Sequence, residues 1–401
     1  MFQVSIANDI VALAKAGSDQ RDSNQPEAWR PRLELGPEGG FVVSTPRRAG
    51  NQPDAADILH DFDLDPAQWL VTGVRRSRWQ KYDGEWLEAY RLSLVPATSS
   101  STHDADLDHL IEQVSKWRPP KGVKTSTGDL AHVWAFGDEQ LGKRQGERGT
   151  DGTVQRILDV TAGAVQRYKD LRKLGRTFGT VVIASLGDHV EGGSSQNGRL
   201  RGQAASDFGV TQQVRLARRL MLARVKAAVS TGVENVTVAV VNGNHDEESR
   251  QVALDAQDGW NVEVAAAVQD ACAENPALAH VQFRYPEANA QTLTVNVHGT
   301  MLGLFHGHQV RNGDVVRYLS QQSLGQTALS GADVFLSGHF HHLSIKDVGP
   351  RLHLQALSLD PGSDWFRDSA GMDSGAGLLT FTIGAGFNPR QDICVIPAVR
   401  P

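Results

Sequence analysis

Five short clusters of metal-ligand side chains, each following an apolar run, concentrate the chemistry available to this chain. They read Gly137-Asp138-Glu139-Gln140, Gly187-Asp188-His189-Val190-Glu191, Gly243-Asn244-His245-Asp246, His306-Gly307-His308 and Gly338-His339-Phe340-His341. The runs before them, 132–136, 181–186, 236–241, 301–305 and 334–336, have the length and β-branched content of buried strands. Asp, Asn, Gln and His side chains gathered at one edge can hold two divalent ions. Two metals in one site favour displacement at phosphorus, with hydroxide generated near neutral pH. No cluster pairs a Ser or Cys nucleophile with a base, so a covalent phosphoenzyme is not expected.

Something must bring five separated strand ends together. Apolar runs alternating with helical patterns, at 153–174, 211–229 and 254–273, predict an α/β fold, with strand ends converging on one edge. Three later runs, 352–359, 378–383 and 393–399, are expected to extend a second sheet. The result is a two-sheet sandwich flanked by helices, spanning residues 129–401. Ahead of it, residues 1–40 read as a flexible entry. Residues 41–97 read as a small α+β accessory domain: a short strand, a helix near 54–60, and a β-hairpin turning at Asp83-Gly84. Residues 98–128 read as a linker carrying a short helix.

Composition sets the outer limits. A chain of 401 residues exceeds one ordinary domain, and 40 % hydrophobic with 21 % charged residues is typical of globular proteins. Cys272 and Cys394 lie too far apart for a zinc knuckle and form no disulfide framework, which fits a reducing compartment. No leader pattern and no membrane-length apolar stretch are present. A cytoplasmic protein without membrane contact is expected. The net charge is −6, yet residues 141–226 carry 16 Lys and Arg against 7 Asp and Glu. Such a tract either draws a polyanion or forms the solvated faces of surface helices.

The five clusters, in this order, resemble the calcineurin-like metallophosphoesterase superfamily over roughly residues 129–360. The resemblance implies an αββα sandwich and a metal-dependent phosphoric ester hydrolase. It assigns Asp138, Gln140 and His341 to a first metal, Asn244, His306 and His339 to a second, and Asp188 as the bridge between them. His245 would steady the developing charge or protonate the leaving oxygen, with Asp246 orienting it or holding the turn. Glu191 is either support for this group or a surface carboxylate. Gln140 departs from the pattern, since most of the superfamily carries His there. Its amide oxygen disfavours zinc and makes manganese the preferred ion, with iron, zinc and magnesium still compatible.

Arg199 and Arg201, in the Gly/Ser-rich loop after the second cluster, and Lys143, just past the first, are candidate substrate contacts. Arg75, Arg76, Arg78 and Lys81 alternate with Trp79, Tyr82 and Trp86 in the hairpin, a mixture that grips phosphates and stacks bases or simply packs a small domain. Trp365-Phe366-Arg367 offers a stacking face or closes the core. Together these features favour an extended phosphodiester, so a nuclease acting on DNA or RNA leads. A small-molecule phosphatase or nucleotide phosphodiesterase is the alternative, and a non-catalytic scaffold a remote one.

Overall fold

The computed structural model describes residues 31–398, apart from 37–38, 51–52, 97–107, 109, 123–124, 145–148, 194–205, 248–256, 289, 361 and 363–374. The chain divides into two compact units, Met1–Asp104 and Ala105–Pro401. Among the described residues no helix is long and apolar enough to cross a membrane.

The described residues of the first unit form a five-stranded sheet with one short α-helix. β1 (Arg32–Gly36), β2 (Gly39–Val43), β3 (Arg47–Arg48), β4 (Trp69–Gln80) and β5 (Trp86–Pro96) pair antiparallel, with β5 at the centre. Asp54 caps α1 (Ala55–His60), its carboxylate accepting from the Ala56 N–H. Ile58 and Leu59 pack onto Val42, Tyr90, Leu92 and Leu94. The hairpin cations are largely matched by the unit's own acids. Arg76 pairs with the buried Glu88, Arg78 lies 4.8 Å from the Trp86 ring, and Lys81 lies 3.1 and 3.0 Å from Asp83 and Glu85.

In the second unit, β6 (Leu130–Phe136), β7 (Phe178–Ser185), β8 (Asn235–Val240) and β9 (Val281–Arg284) run parallel in one sheet. The second sheet has the order β10 (Thr292–Val297), β11 (Thr300–Phe305), β12 (Val334–Ser337), β14 (Arg351–Gln355), β13 (Ser344–Val348). Its β11, β12 and β14 are parallel to one another. Alternation along each central strand shows why two sheets stack. On β6, Trp134 and Phe136 join the helix-facing core, while Ala131, Val133 and Ala135 join the core between the sheets. On β8, Val236, Val238 and Val240 face one way and Ala239 the other. Each buried Val, Leu or Ile contributes about 1.5–3 kcal/mol.

Helices α2 (Gly149–Lys173), α3 (Val210–Val229) and α4 (Trp260–Ala273) cover the first sheet. α5 (Val315–Leu324), which the sequence pattern did not suggest, covers the other through Val315 and Leu319 against Phe305 and Phe335. This is the expected two-sheet sandwich flanked by helices. One expectation is corrected. The run 352–359 does enter the second sheet as β14, but β15 (Gly377–Ile383) and β16 (Cys394–Pro397) do not. β15 returns antiparallel to the free edge of β6 in the first sheet, and β16 pairs antiparallel on the far side of β15. Strand-like residues do not encode their partner, and the open edge of β6 offered a row of unpaired backbone groups.

Candidate metal centre

The loops after β6 and β7 lie side by side. The Gln140 and Leu141 N–H groups donate to Asp188 O and His189 O at 2.9 Å, and Glu191 N–H donates back to Leu141 O at 2.9 Å. That pairing places Asp138 beside Asp188. The third loop joins through Asp246, whose Oδ2 accepts from Asp188 N–H at 2.8 Å and Gly243 N–H at 2.7 Å. Asp246 therefore holds the turn, and burial and the neighbouring Asp188 raise its carboxyl to about 6.

Five of the seven predicted ligands occupy left-handed backbone: Asp138, Gln140, Asp188, His339 and His341, with φ of 53, 45, 56, 73 and 60°. Each such residue costs about 1–3 kcal/mol and persists only where its surroundings enforce it. Glycines make the approach possible. A Cβ on Gly243 would meet Asp188 Oδ1 at 2.1 Å, and one on Gly338 would meet Asp138 Oδ2 at 2.6 Å.

Around His306 the donor atoms converge. Its Nε2 is 3.1 Å from Asp188 Oδ2, 3.2 Å from Asn244 Oδ1 and 3.9 Å from Asp138 Oδ1. Its Nδ1 sits 2.7 Å from Leu186 O, an acceptor only, so Nδ1 carries the proton and Nε2 is left as a ligand atom. Ligand atoms of Asp188, His306 and His339 all lie within 4.8 Å of one another, the one such set among the described residues. Asp138 Oδ1 is buried without a hydrogen-bond partner. Burial opposes a proton on His306 Nε2, yet Asp188 and Asp138 outweigh it and raise the imidazole to about 10, so a divalent ion binding at Nε2 would displace a proton. Burial and the nearby His306 lower His339 to about 4. Buried acceptors facing one another call for a cation, and two imidazoles with a carboxylate and an amide oxygen suit a borderline divalent ion such as Mn, Fe or Zn.

Asp138, His341 and Gln140, assigned to a first metal, are arranged differently. His341 Nε2 is 3.4 Å from Asp138 Oδ1. The Gln140 amide oxygen accepts from Lys143 Nζ at 2.9 Å. Lys143 is itself buried and ion-paired with Asp360, so it is not a free contact for substrate, as the sequence suggested. Its position three residues past Gln140 folds it back into the site through the Lys143 N–H bond to Gln140 O.

His245 is held from both sides. Its N–H donates to Asp188 Oδ1 at 2.7 Å, and its Nδ1 lies 2.9 Å from Glu191 O. Nε2 then faces the Gln140 amide nitrogen at 3.5 Å. Glu191 is fully buried rather than on the surface. His308 and His342 do not join the ligand set. His132, His298 and His353 pack in or beside the core. Arg199, Arg201 and 365–367 lie outside the described residues.

Sequence inspection missed a second cluster behind the first. Glu139 and His189, each next to a ligand, point the other way. Arg224 pairs with Glu139, His189 Nδ1 lies 2.7 Å from Glu139 Oε2, and His189 Nε2 lies 2.6 Å from Ser185 Oγ. The Ser–His–Glu order mimics a nucleophilic triad, but all three side chains are sealed from solvent. The available signal was Arg224 itself, which shares a helical face with Ala217, Met221 and Ala228.

No protein-family model matches the chain, and no curated protein does. Several solved structures resemble it. Wild-type Vps29 from Entamoeba histolytica, complexed with zinc, is 16 % identical over 64 % of this chain and 87 % of that one, with a TM-score of 0.29. An archaeal phosphodiesterase is 12 % identical over 66 % and 99 %, with a TM-score of 0.30. A predicted phosphoesterase from Streptococcus pneumoniae TIGR4 is 14 % identical over 64 % and 85 %, with a TM-score of 0.26. Likeness at this level carries no weight on activity, which has to be read from the chain's own donor atoms.

Proposed function

We propose that this chain is a divalent-metal-dependent phosphoesterase that hydrolyses phosphodiester bonds. The observation that carries the proposal is the convergence of Asp188 Oδ2, Asn244 Oδ1 and the His339 ring on His306 Nε2, with its buried, mutually facing acceptors. A divalent ion held there would supply Lewis-acid charge to a phosphoryl oxygen and lower the pKa of water. Leu186 O fixes the ligand face of His306, and Asp246 clamps the loop that carries Asn244 and His245. With Nδ1 of His245 on Glu191 O, Nε2, which faces the Gln140 amide nitrogen at 3.5 Å, is the atom that would exchange a proton with the leaving oxygen. The surrounding burial keeps bulk water from competing.

A polynucleotide is the leading substrate, supported by the excess of Lys and Arg between 141 and 226. One observation favours a smaller ester instead. Arg218 and Arg224 of that tract are buried and paired with Glu263 and Glu139, which cancels much of their contribution to any field over the site. The test compares bis-p-nitrophenyl phosphate with p-nitrophenyl phosphate under Mn, Mg, Zn or no metal, beside His245→Ala. Metal-dependent diester cleavage, reduced by about 10²–10⁴-fold in the variant, is expected. Labelled DNA and RNA then separate a nuclease from a small-molecule enzyme. Absence of turnover on every one of these substrates with every metal would sink the proposal.

A further inference from the structure

We infer that the centre holds one divalent ion rather than two, with the Lys143 ammonium occupying the place of the other cation. The inference rests on the proposed metal-dependent reading and concerns the half of the site around Gln140. An ammonium only donates, so its 2.9 Å contact fixes which end of the Gln140 amide faces it. The oxygen is committed to Lys143, and the nitrogen is turned to His245 Nε2 at 3.5 Å. Gln140 thus presents a donor, not a lone pair, to the interior of the site.

The lysine is built in, not passing by. It is 7 % exposed and paired with Asp360, which is buried and lies 3.7 Å from His341 Nδ1. Asp360 is anchored in turn, its N–H donating to Ser358 Oγ, which donates to Asp138 O at 2.6 Å. A continuous chain therefore joins His341, Asp360, Lys143, Gln140 and His245. A divalent ion on the Gln140 oxygen would bind about 2.2 Å from it, with the ammonium held on that same oxygen. In a buried site the repulsion between those charges is poorly screened. Consistent with this, Asp138 and His341 are absent from the one converging ligand set among the described residues.

The experiment counts ions without reference to turnover. Metal-stripped full-length protein is titrated with Mn by calorimetry, and electron paramagnetic resonance reports whether bound Mn ions are magnetically coupled. Wild type should take up one equivalent and show an isolated ion. Lys143→Met combined with Gln140→His should bind a second equivalent at least tenfold more tightly than any second binding in wild type, with a coupled signal. If the Met variant fails to fold by circular dichroism, Lys143→Gln, which keeps a donor for Asp360, takes its place. Two tight equivalents in wild type would overturn the inference and leave the phosphoesterase reading standing. A single equivalent in the folded double variant would overturn it as well. No binding in wild type would overturn both.

Discussion

Adjacent residues on the first two loops serve opposite ends. Asp138 and Asp188 face the candidate metal centre, whereas Glu139 and His189 face a sealed cluster behind it. Both regions bury carboxylates, and both must neutralise them. Behind the loops the chain supplies the cation itself, in Arg224, which pairs with Glu139 and lies 4.2 Å from the Phe136 ring. Arg224, His189 and burial compete there, and the net effect holds the Glu139 carboxyl well below its ordinary range. In front, acceptors of Asp188, Asn244 and Asp138 surround one imidazole, with Asp138 Oδ1 left without a hydrogen-bond donor. A buried anion with an internal partner is structure. One whose partner must come from outside is a binding site.

The sharpest way to break this contrast is to remove the internal cation. Arg224→Met should cost about 3–5 kcal/mol, because it leaves the buried Glu139 charge unpaired. Urea denaturation would measure it, and added Mn should not repair it. Next comes the external cation. Mn at a hundred times its Kd should stabilise the wild type by about 2.7 kcal/mol, and Asp188→Asn should abolish most of that gain. Thermal melts with and without chelator provide the check. An unchanged midpoint on metal addition would place the front cluster with the back one.

A third buried group tests the case with no partner of opposite charge in contact. His132 accepts from Trp134 Nε1 at 3.0 Å and packs beside Tyr168 and Phe178. Burial, aided by Arg167, lowers it from 6.5 to about 3. Its folded value lies below its unfolded one, so unfolding takes up a proton. Stability is complete above about pH 6.5 and declines as pH falls towards 3, by about 2 kcal/mol at pH 5. His132→Gln should flatten the difference between urea midpoints at pH 7 and pH 5; an unaltered difference would mean that other groups govern acid sensitivity. A small effect is expected at Ser185→Ala, about 1–2 kcal/mol from two lost buried hydrogen bonds, to His189 and Asn261. Turnover should survive it, since the Ser185–His189–Glu139 arrangement is sealed. Loss of turnover with the fold intact would reassign that arrangement to chemistry.

The front cluster was legible because its residues sit next to glycines at the ends of apolar runs, a local pattern. The αββα class followed from the same runs. What escaped was non-local. Nothing in Gly377–Ile383 announces that it pairs with β6 instead of lengthening the second sheet, since pairing depends on which edge is free. Lys143 looked like a solvent-facing cation because burial of a lysine depends on Asp360, over two hundred residues away in sequence. Glu139 and His189 were hidden by their neighbours: a ligand motif draws attention to one residue in two, and the other carried the packing.

The pairing of β15 with β6 also bears on how the molecule is made. Leu379 lies against Ala135 and Ile383 against Ala131, so one edge of the strand that delivers Asp138 stays open until some 240 further residues have left the ribosome. Contacts of such long sequence separation form late, after loop closure that local contacts do not require. Until then the β6 edge is a template for any extended segment, and misassembly is most probable in that interval. The strand that carries Asp138 is thus paired on both edges only once a segment some 240 residues downstream has reached it.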